Sequence, residues 1–368
     1  MSLNKSKILY GIAIFMMVYH HMFCIPERLQ CEYFSMLNNI YTGLEIKIAW
    51  FFKICVAIYA FVSGYGIFRS TSLEDVDGTY ELLKANYKYI IYHIFKFMKK
   101  YWIVFIVFVP MRWCFENLPN ISFSKTIFSI LGLSNDYNSE WWYVRQYLMM
   151  LLAYPIINVC FSRCISTNFL KKILSIIMKI LAIIFIFIIF SRLCNIKYLI
   201  IFIEGYLIAK LDIFEYINKK IFKKNTQFVG LFILVISIWL RVIYSNSASY
   251  MTIDILITPI FIYSICLLVE EDSIYAKSMQ WFGKYSTYIW LTHTFFCYYY
   301  FRKWIVMSQI STIMFLSTLC CSIVSALIMT WLENRLHSIW KEKNLKEKIY
   351  EILRKRIKRN AAYFYSWK

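Results

Sequence analysis

The sequence contains few of the residues that interrupt helices, glycine and proline, and few of the charged residues that make a protein surface soluble. Among 368 residues there are only nine glycines and five prolines, and charged residues make up 17% of the chain. Soluble domains carry about a quarter of their residues as charges. A soluble globular domain is therefore excluded, and loops must be few or short. Apolar residues instead reach 60% and aromatic residues 20%, which indicates a protein that crosses a membrane several times.

Other sequence signals are also missing. The eleven cysteines are scattered without a zinc-like CxxC pair, which favours buried packing over metal binding. Cys24 and Cys31 are both candidates for a position outside the membrane, where a disulfide is one option. The first apolar run lacks a small-residue cleavage site, so we expect an uncleaved span and not a signal peptide. No soluble domain, internal repeat or low-complexity linker is evident.

Long apolar runs fill most of the chain. Because a membrane-spanning helix needs roughly 20 mainly apolar residues, the sequence predicts an all-α, polytopic membrane protein with about ten spans in one bundle. The predicted spans are 8–25, 46–68, 97–114, 141–161, 171–191, 196–210, 228–245, 251–269, 286–301 and 310–332. Segment 80–96 is predicted to lie along the inner interface before the chain turns into the third span. We therefore divide the chain into a membrane domain, 1–332, and a basic tail, 333–368.

The charge distribution predicts a topology. The net charge of +20 comes from Lys and Arg residues between and after apolar runs, which indicates membrane orientation and not nucleic-acid binding. Most of these cations fall on the face that carries both termini. The opposite face receives few: Arg28, Lys47, Arg112, Lys125, Arg192, Lys197, Arg302 and Lys303. The positive-inside rule thus places both termini of a multi-pass cell-membrane protein in the cytoplasm. The basic tail is expected to contact anionic membrane lipid.

Two adjacent histidines, His20 and His21, interrupt the first apolar run. Ionisable groups at membrane depth are costly and usually face a protein interior or a water-filled cavity, and imidazole exchanges protons near neutral pH. Either His21 is a general base or acyl carrier in a cavity, or it is a packed histidine satisfied by a backbone carbonyl or a neighbouring helix. Consecutive helical residues point about 100° apart, so we expect only one of the two to face a cavity.

Four segments resemble acyltransferase family 3, the integral membrane enzymes that O-acylate glycans. They are GIAIFMMVYHHMF (11–23), FKICVAIYAFVSGYGIF (52–68), NSEWWYVRQYLMMLLAYP (138–155) and WFGKYSTYIWLTHTFF (281–296). In the opening helix of the family a histidine follows a basic residue by eleven positions. His21 falls on that histidine, whereas Tyr10 stands where the family has the basic residue. The resemblance extends over most of the chain, from about residue 5 to 332.

The resemblance implies transfer of an acyl group, usually acetyl from acetyl-CoA, to a hydroxyl of a cell-surface or lipid-linked saccharide. It makes His21 the catalytic base or the carrier of an acyl-imidazole, with His20 in support. Acetyl-CoA is then a donor substrate, and no permanently bound cofactor or metal is expected. Inner-face lysines are candidates for neutralising the CoA phosphates, with simple positive-inside anchoring as the alternative for each: Lys7, Lys96, Lys99 and Lys100.

Further polar residues are candidates for the acceptor site or its cavity: Glu140, Trp141, Trp142, Arg145 and His293. Arg145 either stabilises an oxyanion or contacts substrate, or it forms an interfacial ion pair with Glu140. For the two tryptophans we favour a position at the membrane edge, and for His293 a structural hydrogen bond over a place in the cavity wall. Arg241 and Asp254 are candidates for an ion pair across a short turn.

A transporter or flippase of a lipid-linked sugar is the alternative from another class, and a non-enzymatic scaffold is a third. A transporter favours inverted repeats and helix-breaking Gly or Pro at mid-membrane. Few such breaks occur within the predicted spans, Pro155 and Pro259 among them. The sequence therefore favours the enzyme.

Overall fold

The structure is a computed structural model that describes residues 1–35, 37, 43–71, 79–115, 121–162, 169–220, 226–244 and 250–365. At 112–115, 169–173, 175, 250 and 340–365 it describes the backbone alone. Within these ranges the chain is helical, and its only β-type contact is an isolated bridge between Phe34 and Ile310. The predicted all-α fold class is confirmed.

The helices follow one another with short connections. In chain order they are α1 (Leu3–Phe23), α2 (Leu44–Phe51), α3 (Cys55–Ser70), α4 (Thr79–Phe115), α5 (Phe123–Ile130), α6 (Trp142–Cys160), α7 (Phe169–Leu193), α8 (Ile196–Lys210), α9 (Ile213–Lys220), α10 (Thr226–Ile243), α11 (Tyr250–Leu268), α12 (Ile274–Cys297), α13 (Arg302–Ile305) and α14 (Ser311–Tyr365). Four 3₁₀ turns join or precede them, at Pro26–Leu29, Phe52–Ile54, Ser139–Trp141 and Val306–Ser308.

Each predicted span overlaps at least one helix, with 46–68 divided between α2 and α3, but fewer helices qualify as spans by composition. Among the described residues, five segments are long and apolar enough to cross a membrane: Leu44–Ser70, Ile176–Leu193, Thr226–Ile243, Met251–Leu268 and Ser311–Ile339. Helix α8, for example, has 15 residues, fewer than the roughly 20 that a span needs. The chain is an all-α membrane protein, and the count of about ten spans remains a prediction.

Two of the predicted boundaries, after residue 96 and before residue 333, fall inside helices that continue without a break. Segment 80–96 does not turn before the third span, because α4 runs unbroken over 37 residues from Thr79 to Phe115. No glycine or proline occurs between 80 and 109 to interrupt it. At ~1.5 Å per residue, α4 is about 55 Å long and exceeds a bilayer core of ~30 Å. The tail from 333 likewise continues α14, and side chains beyond 339, including the predicted lipid-contacting ones, lie outside the described residues.

Reciprocal glycines bring α1 and α12 into backbone contact. A Cβ at Gly11 would overlap the carbonyl oxygen of Met279, and a Cβ at Gly283 would overlap that of Lys7. Helices α3 and α8 cross in the same way, with Gly64 against Phe202 and Gly205 against Phe61. Small residues permit such close approach between membrane helices. The α1–α12 crossing fixes how the far ends of these two helices, with His21 and His293, face each other.

A Gly283→Ala substitution is expected to destabilise the protein by about 1–3 kcal/mol, because the new methyl group must push α12 away from the backbone at Lys7. Gly66→Ala is the matched control, since a Cβ at Gly66 meets nothing within 4 Å. Thermal unfolding in detergent measures both. Equal midpoints for Gly283→Ala and wild type would contradict a tight α1–α12 crossing.

A buried ion pair ties three helices together near the end of α2. The Arg241 guanidinium binds both carboxylate oxygens of Asp254, with Nε–Oδ1 2.7 Å and Nη2–Oδ2 3.1 Å, so the predicted pair is confirmed. Arg241 also donates to the carbonyls of Trp50, at 3.0 Å, and Phe51, at 2.5 Å. These carbonyls lie where α2 gives way to the 3₁₀ turn at Phe52–Ile54, at the point where the regular hydrogen bonding of the α-helix ends. Arg241 therefore joins α10 and α11 to the break between α2 and α3.

Candidate active site

The two histidines lie in the last turn of α1 and are buried, with 6% of His20 and 8% of His21 exposed. After α1 the chain turns back through Pro26–Leu29, which brings Arg28 over the end of the helix. The Tyr298 hydroxyl, just beyond α12, donates to the carbonyl oxygen of His21. We call this end of the bundle the histidine end and the opposite end, where α1 begins, the N-terminal end.

His21 forms the middle of a chain of four side chains. Its Nδ1 lies 2.7 Å from Nε2 of His293, and the two rings stack with centroids 5.0 Å apart. Its Nε2 lies 3.2 Å from Oε2 of Glu140. The other carboxylate oxygen of Glu140 accepts from Nη1 of Arg28 at 2.9 Å. The structure thus aligns His293, His21, Glu140 and Arg28 from the core of the bundle towards its surface.

The hydrogen-bond partners of His293 determine which ring nitrogens of His293 and His21 carry hydrogen. Nδ1 of His293 lies 2.7 Å from the carbonyl oxygen of Trp290 and 3.2 Å from that of Ile289. Because carbonyls only accept, this Nδ1 carries a proton, and Nε2 of neutral His293 is then an acceptor. His21 must therefore donate from Nδ1, which leaves its Nε2 as the nitrogen that exchanges a proton. Nε2 lies 3.2 Å from Oε2 of Glu140, and a single proton between these two atoms satisfies the contact.

A cavity of about 620 Å³ opens beside His21. Its volume is in the range of ligand sites in proteins. It is lined by residues of α1, α6 and α8, by the break between α2 and α3 and by the ends of α7 and α11. The polar and aromatic members of its wall include His20, His21, Arg28, Trp50, Lys53, Glu140, Trp142, Arg145, Gln146, Arg192, Asn195 and Tyr198. The arrangement offers an open pocket, lined by many polar side chains, next to an imidazole that contacts a carboxylate.

His20 lines the same cavity as His21, so the expectation that only one of them would do so is wrong. The cavity lies at the end of α1 and is wide enough to meet side chains about 100° apart on the helix. His20 donates from Nδ1 to the carbonyl oxygen of Ala49 at 2.7 Å and packs edge-on against Trp50. This contact orients His20 and makes its Nε2 the acceptor nitrogen.

The predicted cavity residues divide into two groups. Glu140, Trp142 and Arg145 line the cavity. Trp141 does not: it is 1% exposed, and its Nε1–H donates to the carbonyl oxygen of Leu291 at 3.1 Å. Trp141 is a core residue between α6 and α12, and the membrane-edge interpretation is wrong for it. His293 is fully buried behind His21, so it orients the imidazole and does not form the cavity wall.

Glu140 does not pair with Arg145, the partner considered from the sequence. It binds Arg28 and His21 instead, because the 3₁₀ turn at Ser139–Trp141 directs the carboxylate towards α1. The side chain of Asn138, which donates to Thr294 at 2.6 Å and accepts from the amide of Glu140 at 3.0 Å, fixes this turn against α12. Sequence reasoning missed Arg28 as a site residue. In the sequence, Arg28 stands out only as one of the few cations predicted on the face opposite the two termini.

The four candidate donor-binding lysines lie away from the histidine cavity. Lys7 is in the first turns of α1, and Lys96, Lys99 and Lys100 are in the middle of α4. None of them lines the cavity of His21. Lys100 places its ammonium over the ring of Tyr288 at 5.4 Å. The structure therefore separates these lysines from the imidazole, and a role in donor binding stays a prediction.

Tyr10, at the position where the family has a basic residue, is packed inside the bundle. Its hydroxyl lies 3.4 Å from Oγ of Ser63, and its ring stacks on Tyr59 with centroids 5.2 Å apart. A neutral hydroxyl thus replaces a cation at the α1–α3 contact. Any cationic contribution to donor binding must come from other residues.

Comparison with known proteins agrees with this architecture. Residues 7–332 match the profile of a family described as an acyltransferase domain, acyltransferase family 3. A search of curated proteins and a search of solved structures each return no match. The matched range contains the histidine cavity and the four-residue chain of His293, His21, Glu140 and Arg28. Since it also covers most of the sequence, the chain belongs to acyltransferase family 3 and is a membrane acyltransferase.

Proposed function

We propose that the protein is a cell-membrane O-acyltransferase that transfers an acetyl group from acetyl-CoA to a hydroxyl of a cell-surface or lipid-linked saccharide. The observation that carries the proposal is the placement of His21, whose Nε2 meets Glu140 in the wall of a 620 Å³ cavity. A packed structural histidine would have no need of a cavity or of a carboxylate at its second nitrogen.

In the proposed reaction the proton between Nε2 of His21 and Oε2 of Glu140 is first released to solvent, and the acceptor hydroxyl then takes the place of Oε2 beside the neutral imidazole. The hydroxyl proton passes to Nε2 as the oxygen attacks the thioester carbonyl, the C–S bond breaks, and the CoA thiolate leaves and takes up a proton. A sugar alcohol is a very weak acid, so a positioned base is worth ~10²–10⁴-fold in rate. Glu140, still held by Arg28, then stabilises the imidazolium that forms.

A two-step route uses the same atoms. Nε2 of His21 first attacks the thioester and becomes an acyl-imidazole as CoA leaves, and the acceptor oxygen then displaces the imidazole. In this route His293 holds the ring through Nδ1, which leaves Nε2 as the nucleophile. Glu140 is then the nearest group able to take the acceptor proton.

The proposed topology puts donor and acceptor on opposite faces. About ten spans with both termini in the cytoplasm place the histidine end at the outer face of the cell membrane. Lys7, Lys96, Lys99 and Lys100 are then on the side from which acetyl-CoA arrives, where ammonium groups can neutralise its phosphates. Anchoring by the positive-inside rule is the competing explanation for each lysine.

The direct test uses purified protein reconstituted in liposomes with acetyl-labelled acetyl-CoA and a set of saccharide acceptors. The expected result is an alkali-labile O-acetyl label on the saccharide, above the level in protein-free liposomes. Movement of a lipid-linked saccharide across the bilayer without transfer of label would overturn the enzyme in favour of a transporter. Label recovered on an amine in place of a hydroxyl would overturn the proposed O-acylation.

A further inference from the structure

The histidine cavity collects positive charge. Arg28, Lys53, Arg145 and Arg192 all line it, whereas Glu140 is the one carboxylate among the described residues of its wall. The charge of Glu140 is already engaged by His21 and Arg28. The ion pairs among the described residues include none to Arg145 or Arg192. The cavity therefore holds an excess of cations next to the candidate catalytic group.

This excess runs against the charge distribution of the whole chain. In the proposed topology the histidine end is the face that receives few Lys and Arg residues, so anchoring by the positive-inside rule does not account for the cluster. Two of those few cations, Arg28 and Arg192, nevertheless line the cavity. Lys53 and Arg145 are added from positions within predicted spans, where a charge is costly.

Arg145 and Arg192 reach the cavity from neighbouring walls. Arg145 lies in the first turn of α6, shortly after Glu140, and Arg192 lies in the last turn of α7. Between them the start of α8 is held to α6 by Gln146, which donates to the carbonyl of Asn195 at 3.2 Å and accepts from its amide at 2.7 Å. The two guanidinium groups are therefore carried by a cross-linked part of the wall. The dipole of α7 favours a cation at Arg192, but it gives no reason for Arg145 at the start of a helix.

We propose that the acceptor is anionic, and that Arg145 and Arg192 hold a phosphate or carboxylate group of the saccharide while one of its hydroxyls meets His21. This inference rests on the proposed function. Guanidinium groups match the geometry of both oxyanions by paired N–H donors. Trp142 and Tyr198, which pack together in the same wall with ring centroids 5.9 Å apart, supply an aromatic surface for the sugar ring.

The test compares three acceptors of the same sugar with the full-length reconstituted enzyme: a neutral methyl glycoside, its uronate and a glycosyl phosphate. The uronate and phosphate arms separate the two sources of negative charge. Wild type is expected to have a kcat/KM about 10–100-fold higher for at least one anionic acceptor than for the neutral one. Arg145→Gln and Arg192→Gln are each expected to reduce that ratio about tenfold, through a higher KM for the anionic acceptor.

Lys197→Gln is the matched control, because Lys197 is a cation at the same end of the bundle, bonded to Thr252 and outside the cavity wall. It should leave the acceptor ratio unchanged. Equal kcat/KM for neutral and anionic acceptors in wild type would overturn the inference, whether or not the variants fold. A rise in the KM for acetyl-CoA in Arg145→Gln, with no change for the acceptor, would overturn it too. Failure of every acceptor to take up label would instead count against the proposed function.

Discussion

Replacing His21 by alanine is expected to slow acyl transfer to the saccharide by ~10²–10⁴-fold, which is the usual contribution of a positioned general base. The substitution removes a side chain that reaches His293, Glu140 and the cavity at the same time. Release of labelled acetate and formation of labelled saccharide should both be measured, because loss of the acceptor reaction alone distinguishes a base from an acyl carrier. An acyl carrier predicts label on wild-type protein in the absence of acceptor and none on His21→Ala.

Two controls make this experiment specific. His337→Ala removes an exposed histidine of α14 and is expected to retain full activity. Thermal unfolding of His21→Ala checks its fold, since Nε2 of His293 loses its partner and an unsatisfied buried acceptor costs about 1–3 kcal/mol. Wild-type rates in His21→Ala together with inactivity of His20→Ala would transfer the role of base to His20.

Glu140→Gln provides a graded comparison. The amide keeps the shape of the side chain but loses the charge that stabilises an imidazolium at His21. Charge-assisted hydrogen bonds are roughly twice as strong as neutral ones, so the expected loss in kcat is smaller than for His21→Ala. The KM for the acceptor should change less than kcat. The Glu140 carboxylate is proposed to stabilise His21 while it takes the hydroxyl proton, and it is not proposed to bind the sugar. Full activity of Glu140→Gln would contradict a supporting role for its charge.

The positions of the helices and the choice of His21 as a candidate could come from the sequence because both depend on local properties. An apolar run of sufficient length forms a helix wherever it lies, and an ionisable pair inside such a run is conspicuous at once. The partners of His21 are not local. His293 approaches it because Gly11 and Gly283 let α1 and α12 touch. Glu140 approaches it because Asn138 holds the turn at Ser139–Trp141 against α12. No pattern in the sequence reveals that geometry.

For Trp141 the local sequence predicts the wrong position. Trp141 follows a polar loop and precedes an apolar run, which is the usual setting of a membrane-edge aromatic residue. In the structure it fills the core between α6 and α12, and Trp142 next to it lines the cavity. The 3₁₀ turn at Ser139–Trp141 directs Trp141 into the core and Trp142 towards the cavity. Its direction depends on Asn138 and Thr294, which are far apart in the chain.

Arg241→Met is expected to destabilise the protein by about 3–5 kcal/mol, because it leaves Asp254 charged and unpaired in the core. The side chains of Arg241 and Asp254 are only 1% and 2% exposed. The same change removes the hydrogen bonds from Arg241 to the carbonyls of Trp50 and Phe51. Unfolding in detergent, by temperature or denaturant, measures the loss.

Arg69→Met is the matched control. Arg69 also pairs with an aspartate, Asp212, but the two side chains are 42% and 53% exposed, and exposed pairs contribute about 0–1 kcal/mol. A double variant, Arg241→Met with Asp254→Leu, removes both charges and should recover part of the stability, because an apolar pair of similar size often replaces a buried ion pair without loss. Recovery should stay incomplete, since the hydrogen bonds from Arg241 to the carbonyls of Trp50 and Phe51 are not restored. Full recovery would show that Arg241 acts only as the counter-ion of Asp254. No loss in the single variant would show that the α2–α3 break, and with it the wall formed by Trp50 and Lys53, is held in place by other contacts.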